Sequence, residues 1–154
     1  MFQDTCNTDR CGIEFNIPDK QGTGITAYNN TGAAIAAGDV LLLTDGYQAG
    51  KEKLAGIPAT SAVYQWVVVA LDAIADAAIG RFQKSGYCEA YVEGTTDVAA
   101  GDFLEVLNNN NEFKKDGAAR TVYSVARAVD AQATNSNVKV TVWLLGDRVN
   151  IAAS

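Results

Sequence analysis

The chain has no histidine, two prolines and one methionine among its 154 residues. Without histidine, Ser-His-Asp and Cys-His catalysis and imidazole-based metal sites are excluded. No stretch reaches the roughly 18 apolar residues that a membrane helix needs. The most apolar run, 63–78, is interrupted by Gln65, Asp72 and Asp76. The opening MFQDTCNTDRC lacks the basic-then-apolar pattern of a secretory signal. Basic charge is also scarce, with 12 Lys and Arg against 18 Asp and Glu, for a net charge of −6. Such a chain is a poor electrostatic partner for nucleic-acid phosphates or anionic lipid. The expectation is a soluble protein made in the cytoplasm that engages neither nucleic acid nor membrane. Cysteines number three. Cys6 and Cys11 form a C-x4-C pair, two ligands short of a closed zinc site, so they read as reduced thiols ahead of a local disulfide or a metal. Cys88 lies in a strand-like stretch and reads as a small core residue.

What is present is period-two alternation. Apolar residues make up 48% of the chain, and 14 glycines punctuate it. That composition belongs to a globular fold. Residues 1–23 are mostly polar, with Phe2, Ile13, Phe15 and Ile17 as spaced apolar anchors. They read as an extended N-terminal arm ahead of a domain at 24–154, or as an edge strand folded onto that domain. Val40–Leu43 is continuous enough to be buried on both faces. The segment 46–62 reads as a loop. "VYQWVVVAL" is a strand, and "LDAIADAAI" reads as a strand end, a turn at 75–77 and a new strand, with one or two helical turns as the rival. "IGRFQKSGYCEAYVEG" reads as one strand bent at Gly86. Asn108–Asn111 marks a hairpin loop, and Val138–Leu145 alternates to the end. About eight short strands between turn clusters, with at most one short helix, predict an all-β barrel or sandwich.

One phrase occurs twice. "AAGDVLLLTD" begins at Ala36 and "AAGDFLEVLN" at Ala99. Glycine supplies the positive φ of a tight turn, and aspartate can close the turn by bonding the backbone two residues on. The phrase therefore reads as a device that launches a strand after a sharp change of direction. An internal duplication is the weaker reading, since five of the ten positions match. A catalytic pair of Asp39 with Asp102 is weaker still. Tyr87 and Tyr91 share a strand face, where they either cover a neighbour or stack on a sugar. Asn29-Asn30-Thr31 matches a glycosylation sequon but reads as a turn. Trp66 and Trp143 read as core or subunit-contact residues, and Asp72 and Asp76 as solvated carboxylates.

Three features in order, "AYNNTGAAIAAGDVLLLT", "VVVALDAIADAAIGRFQKSGYCEAYV" and "AAGDFLEVLNNNNEFKK…SVARAVDAQATNSNVKVTVWLLG", make residues 25–147 resemble the small head-decoration, or capsid cement, proteins of tailed phages. The resemblance implies a compact β-tulip or small barrel that binds the outer surface of an expanded phage head. It also implies a homotrimer that bridges major capsid subunits. It implies no catalytic residue, no cofactor and no metal. It casts the arm anchors Phe2, Ile13, Phe15 and Ile17 as capsid contacts. Another virion module, such as a tail or fibre-attachment β-domain, is the runner-up, and a carbohydrate-binding module comes third.

Overall fold

The computed structural model describes residues 12–48, 51–56, 58, 65–107, 110–133, 138–146 and 148–149. These residues form twelve strands and one 3-10 turn, so the all-β expectation holds. Two of the strands beyond the expected eight have a plain origin. The segment read as a loop contains a hairpin, and the bent strand is two strands.

The first half contains β1 (Glu14–Ile17), β2 (Gly22–Asn29), β3 (Val40–Gln48), β4 (Lys51–Gly56), β5 (Gln65–Ala70) and β6 (Ile79–Gln83). Strand β2 pairs with β4, β4 with β3, β3 with β5, β5 with β6, and β6 with β2 again. That circuit is a closed five-stranded barrel. The second half contains β7 (Gly86–Val92), β8 (Phe103–Val106), β9 (Phe113–Gly117), β10 (Ala126–Ala128) and β11 (Val138–Leu144). They close a barrel in the order β10-β11-β7-β9-β8. The two circuits are the same, strand for strand. In each, the first strand runs parallel to the third and every other pairing is antiparallel. Even the isolated bridges correspond, Ile35 with Ile74 and Val98 with Gln132. The structure therefore shows a duplicated barrel, the reading that sequence identity alone had made the weaker one. A short terminal strand, β12 (Arg148–Val149), pairs with β5.

Alternation fills the interiors. Ile25, Ala27, Leu41, Leu43, Val68, Ala70 and Phe82 form one buried cluster. Ala90, Val92, Leu104, Val106, Ala126, Ala128 and Val142 belong to another. Inward positions of one barrel thus recur in the other, as strand pleating requires. The exception explains how the halves hold together. Val40, Leu42, Val67 and Val69 point away from the first interior and join the buried cluster of the second barrel. This is why Val40–Leu43 is buried on both faces, as its unbroken apolar run predicts. At the corresponding places in β8, Phe103 is half-buried and Glu105 is paired with Lys114 at 3.0 Å.

The packing follows from a gap. Strands β7 and β9 share a single register pair, Val92 with Phe113. Beside that gap, the Tyr91 N–H donates to Gly38 O at 3.0 Å, and the Val40 N–H donates to Asn111 O at 2.8 Å. The first barrel's turn thus closes the second barrel's seam. The matching edge of β2 is covered by β1 instead, with the Thr26 N–H donating to Ile13 O at 3.0 Å. A 3-10 turn at Pro18–Lys20 brings β1 back onto β2. Proline suits its first position, since φ is preset and no N–H is needed there. The chain leaves this turn through Gln21 at φ 51.

The link between barrels is tight. Gly86, at φ +90, lies against Lys20 O and Gly22 Cα, and an added Cβ would reach 2.5 and 2.6 Å from them. What reads in the sequence as a bend inside one strand is the crossing point from the first barrel to the second.

Candidate functional site

The repeated phrase is a turn built twice to the same plan. Gly38 and Gly101 have φ of +96 and +94, a backbone region in which an L side chain is strained. In both copies the aspartate carboxylate accepts an N–H three residues earlier, Asp39 from Ala36 and Asp102 from Ala99, each at 2.9 Å. The bond runs backwards along the chain, not forwards as the sequence suggests, because the carboxylate closes the turn that it ends. A third version, Ala75–Ala78, has Ala77 at φ 59 where the others have glycine. There the Ala78 N–H donates to Ala75 O at 3.2 Å. Asp39 and Asp102 belong to different barrels, and each is engaged within its own turn. Asp102 also meets Lys115 at 2.9 Å. That hydrogen bond, followed by the Ala99 N–H, holds its carboxyl below the usual range. Burial pushes Glu112 up, with the Glu93 and Asp39 charges adding to the effect.

The proposed arm contacts divide. Phe2 lies outside the described residues. Ile13 is 44% exposed. Phe15 and Ile17 are half-buried on β1, and the Phe15 ring lies over Gly24, where an added Cβ would come within 2.4 Å of it. Phe15 is thus engaged with its own barrel through a close approach that only glycine permits.

The aromatic side chains form local pairs. Tyr87 meets Trp143 edge to face, with ring centroids 4.5 Å apart. The ammonium of Lys84 sits 4.5 Å from the centre of the Trp66 ring, and that of Lys139 sits 5.6 Å from Tyr91. Asn29 is buried, donating to Ala33 O and Ala75 O and accepting from the Thr31 N–H and hydroxyl. The sequon is therefore the hub of a turn. Asp72 forms a two-pronged pair with Arg81, at 2.9 and 3.0 Å, on the surface. Cys88 is buried, and desolvation pushes its thiol up to about 12. Cys6 and Cys11 lie outside the described residues. Among the described residues, no group of His, Cys, Asp or Glu is arranged to hold a metal ion.

Two features escaped the sequence. One is a tip at 121–124, where Val122 is 80% exposed and Tyr123 is also exposed. Beneath it, the Thr121 N–H donates to Ser124 Oγ at 2.9 Å, and both hydroxyls bond Asp116. The signal was a Thr and a Ser flanking two apolar residues, a hydroxyl-capped turn that alternation had masked. The other is Gln83, fully buried beside Phe82 on β6. By alternation with Phe82 it shares the face of exposed Arg81, so no local signal marked it for burial.

No family model matches the chain, and no curated protein matches it. A solved structure does. The likeness is to the N base of head fiber gp8.5 of bacteriophage phi29. The two chains are 13% identical and superpose with a TM-score of 0.54, over 82% of this chain and 96% of the other. At that identity the likeness is one of fold.

Proposed function

We propose that the chain is a non-catalytic structural protein of a phage virion, located on the head. One observation carries this reading. The two-barrel fold, over most of its length, resembles the base of a phage head fiber. The barrels themselves fit the role. A rigid pair of closed sheets with few free edges presents surface without inviting strand-to-strand aggregation.

Within that role, the finer reading is a decoration or cement protein. It binds the outer surface of the expanded head and bridges major capsid subunits as a homotrimer. It needs no cofactor, and Phe2, Ile13, Phe15 and Ile17 supply the contacts. Of the three described anchors, Ile13 has the most surface to give. Three chains would close a ring through one repeated interface, and several modest contacts made by one trimer would sum through effective concentration. The fibre-attachment alternative gains from the same likeness, because the neighbour is itself a fiber base.

Co-sedimentation with expanded heads that lack the protein tests the shared reading, and absence of stoichiometric binding refutes it. Heat or chelator challenge of the decorated heads then separates the two versions. A cement raises the survival of the shell, whereas a fibre base binds without protecting it. Light scattering of the isolated protein checks the trimer.

A further inference from the structure

We infer that the outer face of the second barrel is a docking surface for a second copy of this chain, which meets it with strand β1. The registers lay four side chains in one row across that face. Tyr87 of β7 pairs with Trp143 of β11, Trp143 with Arg127 of β10, and Arg127 with Phe103 of β8. Neighbours in the row brace one another. Tyr87 meets Trp143 edge to face, and Arg127 sits 5.2 Å from the centre of the Phe103 ring while its Nε donates to Gly101 O at 2.9 Å. Arg127 is exposed, and Tyr87 and Val129 are each 40% exposed. Trp, Tyr and Arg are the residues that concentrate binding energy at protein interfaces.

The duplication shows what covers such a face. In the first barrel the same row reads Gly24, Gln83, Val69 and Val40, each paired with the next. All four are buried, and Val40 and Val69 belong to the core cluster of the second barrel. In the one junction between barrels that the chain makes, this face of one barrel is therefore covered by another barrel. In the second barrel the same face stays open, with Tyr87, Arg127 and Phe103 in place of a glycine and two valines.

The receiving surface follows from the same comparison. The first barrel docks beside the β7–β9 gap, where the Tyr91 N–H and Asn111 O bond its turn. The equivalent edge of the first barrel is occupied by β1, so a second copy that docks in the same manner presents β1. Glu14 of β1 is 64% exposed, although it pairs with Lys84 at 3.1 Å. It supplies negative charge opposite Arg127, and such complementarity fixes register and partner. The contact joins unlike surfaces head to tail, and it builds a ring if its rotation closes. This inference gives a surface to the self-association within the proposed function and rests on that part alone, so binding to the head can stand without it.

Sedimentation velocity of the full chain from about 1 to 300 μM tests the contact. The parent should sediment above monomer mass. The double variant Tyr87→Ser, Arg127→Ser on the face, and Glu14→Lys on the strand, should each lower the association constant by about tenfold or more. All three positions are exposed, so the variants should keep the parent far-ultraviolet spectrum. Mixing the two variants is decisive. Each retains the surface that the other lacks, so one intact junction forms per pair, and a 1:1 dimer appears that grows no further. A parent that stays monomeric overturns the inference, as does a variant that associates like the parent, or a mixture without the dimer. Co-sedimentation with expanded heads keeps this failure apart from that of the virion reading. A monomeric parent that still binds heads removes the self-docking alone, and loss of that binding in the double variant assigns the face to the shell instead.

Discussion

Replacing Gly101 with alanine isolates the strain stored in the repeated turn. At φ +94 an L-residue costs about 1–3 kcal/mol. Alanine recovers about 0.4–1 kcal/mol by narrowing the unfolded ensemble. The new Cβ would meet only Arg127 Nη2 at 3.7 Å, an ordinary contact. The strain term therefore stands alone, and Gly101→Ala should lose about 1 kcal/mol. Gly38→Ala carries the same backbone term at φ +96, but its Cβ would come to 3.0 Å from Lys139 Cδ and 3.4 Å from Glu89 O. The lysine stem can swing aside. The backbone has less freedom, because Gly38 O is tied to the Tyr91 N–H across the seam. Gly38→Ala should therefore cost more than Gly101→Ala, by up to about 1 kcal/mol. The control is Ala77→Gly, at φ 59, where relief of strain and gain of unfolded entropy nearly cancel and stability stays within about 0.5 kcal/mol. Urea midpoints at unchanged slope measure all three. A neutral Gly101→Ala, or a Gly38→Ala milder than Gly101→Ala, would refute the account of strain common to both turns with a seam penalty at one.

Phe82→Ala, which empties the centre of the first barrel, should lose about 3–5 kcal/mol by the same assay. Cys88 should resist iodoacetamide at pH 8 in the folded chain and react on unfolding, since a rise from 9.0 to about 12 lowers its thiolate fraction by about a thousandfold. Peptide mass spectrometry distinguishes it from Cys6 and Cys11. The folded-state pKa of Asp102 lies below its ordinary 3.8. Its contribution to stability is thus complete above pH 3.8 and is lost as the pH falls through the folded value. Asp102→Asn should be less stable than the parent at pH 7, and the gap should narrow as the pH falls below 3.8. A gap that stays constant with pH would show that the charge has no part in it.

Much of the architecture was legible because strands announce themselves locally. The alternation of Cys88, Ala90 and Val92 against Tyr87, Glu89 and Tyr91 appears in the structure as inward and outward faces of β7. The double burial of Val40–Leu43 followed from its missing polar partners, and the turn at 75–77 from the closely flanking strands. The hairpin of β3 and β4 was hidden, because Lys51, Glu52 and Lys53 look like loop residues until a neighbouring strand pairs with their backbone. The duplication was hidden for a related reason. Corresponding positions such as Leu42 and Glu105, or Gln83 and Trp143, have opposite chemistry, since the same place in each barrel meets different surroundings.

The residues alone determined what nearest neighbours along the chain can enforce: which segments pleat, where glycine permits a reversal, and which faces are apolar. They also removed imidazole chemistry from the outset. Only the tertiary structure decided that the strands close twice into one circuit, that the first barrel's turn seals the second barrel's seam while β1 covers its own, and that an amide carbonyl is left unpaired in between. Pleating and turn formation depend on a few adjacent dihedrals. Barrel closure and seam filling depend on backbone groups tens of residues apart, whose partners are not inscribed in any local pattern.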